Sequence, residues 1–163
     1  MRLQALFEGY LSYVDRGHWA APYHDQEYIG YAEATGEVSG ERLRGRVRCL
    51  NHPVQLSSGP ELYRPDYYGV IWTDDGATVL WRVQGYNLFE PEVPPEYVGR
   101  ALMMSTFAAD DDRYRWLNHV FGVIEAVCTG PVDLADAATE QWQLRVFECV
   151  HELPVVERSP SRG

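Results

Sequence analysis

The sequence contains no lysine, because all 14 of its basic residues are arginine. The absence of lysine excludes Schiff-base chemistry and a lysine nucleophile. Cations are also scarce relative to anions, since 24 acidic residues give the chain a net charge of −10 at pH 7. Binding to phosphates requires cations, so we expect neither a nucleic-acid partner nor a membrane partner.

Long apolar runs are absent as well. No 18-residue apolar stretch is present, and Glu8 interrupts the first apolar run, which is followed by no small-residue cleavage site. The three cysteines, Cys49, Cys128 and Cys149, are odd in number and lie in apolar strand-like runs. This pattern is typical of buried thiols in a reducing compartment rather than of a disulfide framework. We therefore expect a cytoplasmic protein.

The sequence also lacks the motifs of the common cofactor and metal sites. It has neither a glycine-rich phosphate loop nor a GxSxG elbow. Its five histidines show no HxH or HExxH spacing, so we interpret them as surface or hydrogen-bonded residues. The sequence therefore predicts no metal and no cofactor.

Aromatic residues, in contrast, are plentiful and lie in short runs broken by Gly, Pro and Asp, which is typical of all-β proteins. Residues 42–49 alternate Arg with Leu, Gly, Val and Cys, the period of a strand with one wet and one buried face. Residues 66–86 predict two strands joined at Asp74, Asp75 and Gly76, where glycine can take a positive φ. We interpret both aspartates as turn residues rather than as paired catalytic carboxylates.

The strand count predicts a barrel. Further strands are expected over residues 2–13, 27–40, 99–108 and 140–153. About eight antiparallel strands can close into a barrel that holds side chains or one small ligand, although a sandwich is the alternative. We predict an all-β, closed antiparallel barrel with one or two short helical turns, as a single domain over residues 1–155 with a flexible tail over 156–163.

Three segments lack a clear period. Val14–Gln26 and Tyr86–Tyr97 are long for hairpin loops, and we expect both to cover a barrel mouth. Gly130–Glu140 has room for one short helical turn.

The acidic segment that starts at Asp110 predicts a single helical turn before a strand that begins at Val120. We interpret Trp116 and Leu117 as a plug that seals one barrel end. Asn118 is interpreted as a residue that satisfies backbone groups there.

Three motifs carry a family resemblance. GEVSGERLRGRV (36–47), TDDGATVLWRVQGY (73–86) and FAADDDRYRWLN (107–118), in this order and spacing, resemble the uncharacterised bacterial and fungal DUF-3237 family. With their intervening strands they cover roughly residues 28 to 150. The resemblance implies a calycin-like closed β-barrel, often paired into dimers, with no settled activity.

The chain departs from the family pattern at two places. His52, in CLNHPVQL, stands near the position where the family has Asp-Trp. Asp66 of the family's Asp-x-Arg-Tyr is retained, but Tyr68 and Gly69 replace the Arg and the Tyr. These changes affect the ligand preference that the resemblance would imply.

Asp66 is the strongest candidate for a catalytic base. It shares strand parity with Tyr68 and Trp72, so if that face points inward its carboxylate lies near a barrel mouth beside aromatic rings. Desolvation there would favour a general base, whereas a carboxylate hydrogen-bonded to the backbone is an equal alternative. The full catalytic set is predicted as Asp66, His52, Tyr68 and His119, and the ligand-binding set as Tyr31, Trp72, Trp81, Trp116 and Asn118.

The resulting hypothesis is a barrel that binds a small hydrophobic or aromatic metabolite. As a cofactor-independent enzyme, Asp66 or His52 would remove a proton next to a carbonyl while Tyr68 or His119 stabilises the enolate, giving isomerisation, cyclisation or dehydration. The alternatives are a non-catalytic carrier or sensor, and a structural dimerisation module filled by its own side chains. We expect a homodimer.

Overall fold

The computed structural model describes residues 1–21, 27–56, 62–90, 97–130 and 139–152. They form ten strands and one short 3-10 helix. The strands are β1 (Arg2–Ala20), β2 (Glu27–Ser39), β3 (Arg44–Asn51), β4 (Val54–Leu56), β5 (Leu62–Arg64), β6 (Asp66–Thr73), β7 (Thr78–Glu90), β8 (Tyr97–Ala108), β9 (Gly122–Gly130) and β10 (Gln141–Val150), and the 3-10 helix is Arg115–His119. Within these ranges, no helix has the length and apolarity needed to cross a membrane.

The sheet closes on itself as an antiparallel ring. Around the ring the order is β1, β10, β9, β8, β7, β6, β3 and β2, and β2 pairs again with β1. β4 follows β3 after Pro53 and pairs with β2, as β3 does. β5 precedes β6 at Pro65 and pairs with β7, as β6 does, and β4 and β5 also pair with each other. Proline lacks an N–H for the ladder and commonly marks such interruptions. The predicted closed barrel of about eight strands is confirmed, and the sandwich alternative is wrong.

The alternation in β3 shows why this sequence makes a barrel wall. Arg44, Arg46 and Arg48 point outward, whereas Val47 and Cys49 are buried inside. The predicted wet and buried faces of this strand are therefore confirmed.

The predicted hairpin between β6 and β7 is also confirmed. Gly76 has a φ of 89°, which glycine adopts without steric cost. The Thr73 N–H donates to the Ala77 carbonyl at 2.9 Å, and the Gly76 N–H donates to the Thr73 carbonyl at 3.0 Å.

The loop predicted at Val14–Gln26 is wrong over residues 14–20, where β1 continues to pair with β2. Two register shifts after Tyr13 allow this, and such irregularities interrupt the alternation that marks a strand in a sequence. Gly17, within the second shift, has a φ of 67°, and a β-carbon there would collide with the Tyr31 carbonyl. Residues 22–26 lie outside the described ranges.

The loop predicted at Tyr86–Tyr97 is similarly wrong at its start, because β7 runs to Glu90. β7 pairs with β8 up to this residue, which extends the ladder beyond the sequence-based boundary. Residues 91–96, 131–138 and the tail 156–163 fall outside the described ranges, so the expectations for them stay predictions.

One end of the barrel is closed by the segment between β8 and β9. Leu117, in the 3-10 helix, has no exposed surface, and Tyr114 is buried beside it in the same core. Asn118 donates to the Ala109 carbonyl at 2.9 Å and accepts from the Ala109 N–H at 2.7 Å. The predicted turn, the plug residue Leu117 and the backbone-satisfying role of Asn118 are confirmed.

Arg113 links this closed end to the hairpin between β6 and β7. Its guanidinium contacts Asp75 Oδ2 at 2.8 Å and Asp111 Oδ2 at 2.7 Å. The hydrogen bond from Arg113 lowers the pKa of Asp111 to about 2, and a hydrogen bond from Thr73 is the largest cause that lowers the pKa of Asp75. Both folded values lie below those of an unfolded chain, so the stabilisation is present above about pH 4 and is lost as pH falls toward about 2.

The Arg113→Met variant should therefore melt below the wild type at neutral pH, and the difference should shrink as pH falls from about 5 toward about 2. Thermal melting followed by circular dichroism at several pH values measures this difference. Arg115→Met is the matched control, because Arg115 pairs with the highly exposed Asp112 and such pairs contribute little. A difference for Arg113→Met that stayed constant with pH would contradict the assignment.

Candidate functional site

The inside of the barrel is filled mainly by apolar side chains. The Trp81 ring stacks on Phe107 with centroids 6.5 Å apart, and Phe7 meets both rings edge-on. An internal cavity of about 20 Å³ lies further along the barrel, with room for roughly one water or one small group of a ligand. Its walls include Leu11, Tyr67, Trp81, Asn87, Met103 and Trp142.

A group of five polar side chains lies toward the barrel end opposite the 3-10 helix. We call this group the polar ring, and it consists of Tyr13, Asn51, Tyr67, Asn87 and Glu140. All but Glu140 are buried, and Glu140 is half-buried just before β10. Asn51, Tyr67 and Asn87 lie near strand ends on this side of the barrel. Glu140 directly precedes β10, and its carbonyl accepts from the Tyr13 N–H at 3.4 Å.

Three members of the polar ring form a hydrogen-bonded chain. The Tyr13 and Tyr67 hydroxyls are 2.8 Å apart, and Asn51 Nδ2 donates to the Tyr13 hydroxyl at 3.0 Å. Asn51 Oδ1 in turn accepts from the Asp66 N–H at 3.1 Å. The buried phenols are therefore anchored to the barrel wall, which fixes their orientation.

Glu140 is the charged member of the polar ring. Its Oε1 accepts a hydrogen bond from Trp142 Nε1 at 2.9 Å, so the carboxylate is held at the edge of a ring that also lines the internal cavity. The charge of Glu140 acts on both buried phenols and on Tyr63 of β5. A carboxylate and two phenols therefore share one end of an apolar interior.

Burial keeps the groups next to the carboxylate protonated. It is the largest cause that raises the pKa of Tyr13 and of Tyr67 well above the usual range, and the Glu140 charge raises both further. Burial likewise raises the pKa of Cys49, another wall residue, to about 12. At neutral pH the phenols therefore keep their protons and can donate hydrogen bonds, whereas the Cys49 thiol is not a nucleophile.

Asn87 is the member of the polar ring whose bonding is incomplete. Its Oδ1 atom is buried and has no hydrogen-bond partner, although the residue lines the internal cavity. Trp81 Nε1 and Ser105 Oγ are also buried without a partner. Buried polar groups are usually paired, so Asn87 and Trp81, which line the internal cavity, mark a place where a ligand or a water can bind.

The expectation that Asp66 faces the barrel interior is wrong. Asp66, Tyr68 and Trp72 lie on the outer face of β6, whereas Tyr67 and Ile71 occupy its inner face. The Asp66 carboxylate forms an ion pair with Arg82, whose Nε lies 3.6 Å from Oδ1. Paired residues of neighbouring strands share a face, and Trp72 of β6 lies opposite Arg46 of β3, which points outward. Asp66 and Tyr68, which share the parity of Trp72, therefore also lie on the outer face.

The other predicted catalytic residues do not converge inside the barrel either. His52 is exposed and its ring lies 5.5 Å from that of Tyr31, beside an outer groove of about 630 Å³ that Asp66 also lines. His119 lies in the 3-10 helix at the closed end, about 20 Å from Asp66 along β6. The predicted set is therefore split between the outer wall and the closed end.

The predicted ligand-binding residues are also dispersed. Trp81 lines the internal cavity, but Tyr31 and Trp72 are exposed on the outer wall. Trp116 and Asn118 belong to the closed end, where the Arg42 guanidinium lies 3.5 Å from the centroid of the Trp116 ring. Trp116 was predicted to plug the barrel end together with Leu117. Its ring packs against the core there but stays half-buried, so it covers the end only partly.

Sequence reasoning missed Tyr13, Asn51, Tyr67, Asn87 and Glu140. Tyr13 and Tyr67 are separated by 54 positions, and no local motif relates them. The signal that was available is the alternation of β3, because its inward face ends at Asn51. Within the part of the chain that the structure describes, no three His, Cys, Asp or Glu residues form a metal-binding group.

No family model and no curated protein matches this chain. Solved structures do resemble it. A β-barrel-like protein from Acinetobacter baumannii has a TM-score of 0.70 at 19% identity, over 90% of this chain and 94% of that one. A protein of unknown function from Clostridium acetobutylicum has a TM-score of 0.65 at 15% identity, over 90% and 97%. An enzyme from Penicillium herquei has a TM-score of 0.53 at 21% identity, over 90% and 94%. These similarities establish the shared barrel fold.

Proposed function

We propose that the protein is a cofactor-independent acid-base enzyme that binds a small, largely apolar metabolite at the polar ring. The observation that carries this proposal is the Glu140 carboxylate beside two phenols that burial keeps protonated. A carboxylate that can accept a proton and phenols that donate hydrogen bonds, placed at the edge of an apolar interior, are the parts that such chemistry needs. That one structural neighbour is an enzyme agrees with the proposal at the level of the fold.

The proposal gives a role to each group. Glu140 removes a proton from a carbon next to a carbonyl, with its Oε1 held by Trp142. Either hydroxyl can be the donor in the hydrogen bond between Tyr13 and Tyr67. When Tyr13, which accepts from Asn51, donates to Tyr67, the Tyr67 proton is left for the ligand oxygen. This proton stabilises the enolate as charge develops on the oxygen. From such an enolate, isomerisation, cyclisation or dehydration can follow.

Hydrogen exchange at carbon tests the proposal without knowledge of the substrate. In D₂O, the protein should speed the exchange of the protons next to the carbonyl of 1-tetralone, a small apolar ketone, as followed by proton NMR. Glu140→Gln should slow the catalysed exchange by about a hundredfold or more, because it removes the base. Tyr67→Phe should slow it at least about tenfold, because it removes a donor to the enolate oxygen.

Glu125→Gln is the matched control, since Glu125 is exposed on the outer face of β9 and pairs with Arg145 at 3.2 Å. This variant should exchange tetralone at the wild-type rate. Binding of tetralone without any catalysed exchange would favour the carrier or sensor alternative. The absence of both tetralone binding and catalysed exchange would overturn the proposed function.

The outer face suggests that the protein pairs with a second copy, and we propose a homodimer. Tyr86 and Leu102 lie directly opposite each other on β7 and β8, and both are exposed. Leu88 and Met104 extend this apolar patch along the same two strands. A patch of this kind, made of large apolar side chains, marks a contact surface. The motif resemblance described above supports the same proposal.

The thiols bear on the proposed location. Cys49, Cys128 and Cys149 are all free, as expected in a reducing compartment. We propose the cytoplasm on this basis.

A further inference from the structure

Asn87 presents an acceptor to the barrel interior. It lies on the inner face of β7, opposite Tyr63 on β5 and Ala101 on β8. Its residue exposure is 5%, and its Oδ1 has no hydrogen-bond partner. A buried carbonyl oxygen without a partner costs free energy, which a donor brought by a ligand would recover.

Positive charge is absent from the described residues that are buried in the barrel or line its internal cavity. The buried polar residues of the described ranges are all neutral, namely Asn51, Thr73, Asn87 and Ser105. No Arg or His is among the described residues that line the internal cavity. Glu140 is the charged member of the polar ring, and its charge acts on Tyr13 and Tyr67. In a poorly solvated site a like charge is strongly repelled.

We infer that the polar ring selects ligands that carry a hydrogen-bond donor and no negative charge, with Asn87 Oδ1 as the acceptor for that donor and Glu140 as the group that excludes anions. This inference rests on the proposed function and specifies its ligand class. A hydroxyl or an N–H on an apolar body fits the class, whereas carboxylates, phosphates and sulfates do not. The internal cavity, at about 20 Å³, has room for the donor group itself, so the body of such a ligand must lie outside this cavity.

Three probes with one ring system separate the two parts of the inference. They are 2-naphthol, which is uncharged with a donor, 2-methoxynaphthalene, which lacks the donor, and 2-naphthoate, which is an anion. Binding is measured by calorimetry and by the Trp81 indole N–H resonance in NMR. We expect 2-naphthol to bind about tenfold more tightly than 2-methoxynaphthalene, and 2-naphthoate to bind more weakly than either probe.

Two variants assign these differences to residues. Asn87→Leu, close in shape, should remove the preference for 2-naphthol over its methyl ether and leave the ether's affinity unchanged. Glu140→Gln should strengthen 2-naphthoate binding about tenfold and leave the ether unchanged. Circular dichroism checks the fold of each variant. If Asn87→Leu does not fold, Asn87→Ala removes the same oxygen without adding volume.

The outcomes separate this inference from the proposed function. If all three probes bind equally, or if Asn87→Leu weakens 2-naphthol and its ether alike, the inference is overturned while the proposed function stands. If the probes bind as inferred and tetralone exchange is absent, the inferred ligand class stands, and the protein is a carrier rather than an enzyme. If no probe binds, and the cavity holds a resident water only, the inference is overturned, and tetralone exchange alone decides the proposed function.

Discussion

The Leu117→Ala variant is expected to lose about 2–5 kcal/mol of the free energy of unfolding. Leu117 has no exposed surface, and it anchors the 3-10 helix that closes one end of the barrel. Removal of its side chain leaves a cavity that the surrounding strands cannot fill without shifting. Urea unfolding followed by circular dichroism measures the loss.

Leu80→Ala is the matched control for this prediction. Leu80 lies on the outer face of β7 and is more than half exposed, so the same change should cost less than about 1 kcal/mol. Equal losses for the two variants would show that Leu117 does not close the barrel.

Leu102→Glu should convert the proposed homodimer into single chains at micromolar protein. Leu102 is 63% exposed on β8, at the centre of the outer apolar patch. A carboxylate placed there would be desolvated in the dimer and would repel its own copy across a two-fold axis. Light scattering with size-exclusion chromatography measures the mass.

Leu80→Glu is the control for the dimer, because Leu80 lies outside this patch and should leave the mass unchanged. A wild-type protein that scattered as one chain at micromolar concentration would disprove the dimer outright.

The barrel could be predicted because polar and apolar residues alternate along its strands and so indicate their outer and inner faces. The alternation of Arg46 and Arg48 with Val47 and Cys49 matches the faces of β3, and Gly76 marks the turn between two strands. These are local signals, read within a few residues. The closed ring then follows from the number of strands, since about eight strands suffice to close a barrel.

The site could not be predicted in the same way, because β6 carries large aromatic residues on both faces. Tyr67 points inward while Tyr68 and Trp72 point outward, so apolar alternation gives no basis for choosing between the two faces. The pairing of β6 with β3 resolves the choice, since Arg46 lies opposite Trp72 and shares its outward face. The pairing of β6 with β3 is known only from the tertiary structure. Without it, the wrong face of β6 was assigned to the interior, and Asp66 was predicted as the base.

Glu140 was missed for a different reason. It follows a segment with no clear period and precedes β10, so nothing local distinguishes it from a solvated loop carboxylate. Its significance comes from Trp142 and from the phenols of β1 and β6, which only the closed sheet brings near it.

The pairing of β1 with β10 also governs how the protein can be made. Arg2 lies opposite Val150, so the ring is completed by contacts between residues from nearly the whole length of the chain. During synthesis, β1 emerges long before β10 and can pair only with β2 on one side. Its other edge stays open to any strand nearby until translation has passed residue 150, and contacts of such long range form slowly. Release of the chain before that point would leave two unpaired edges, a form prone to aggregate.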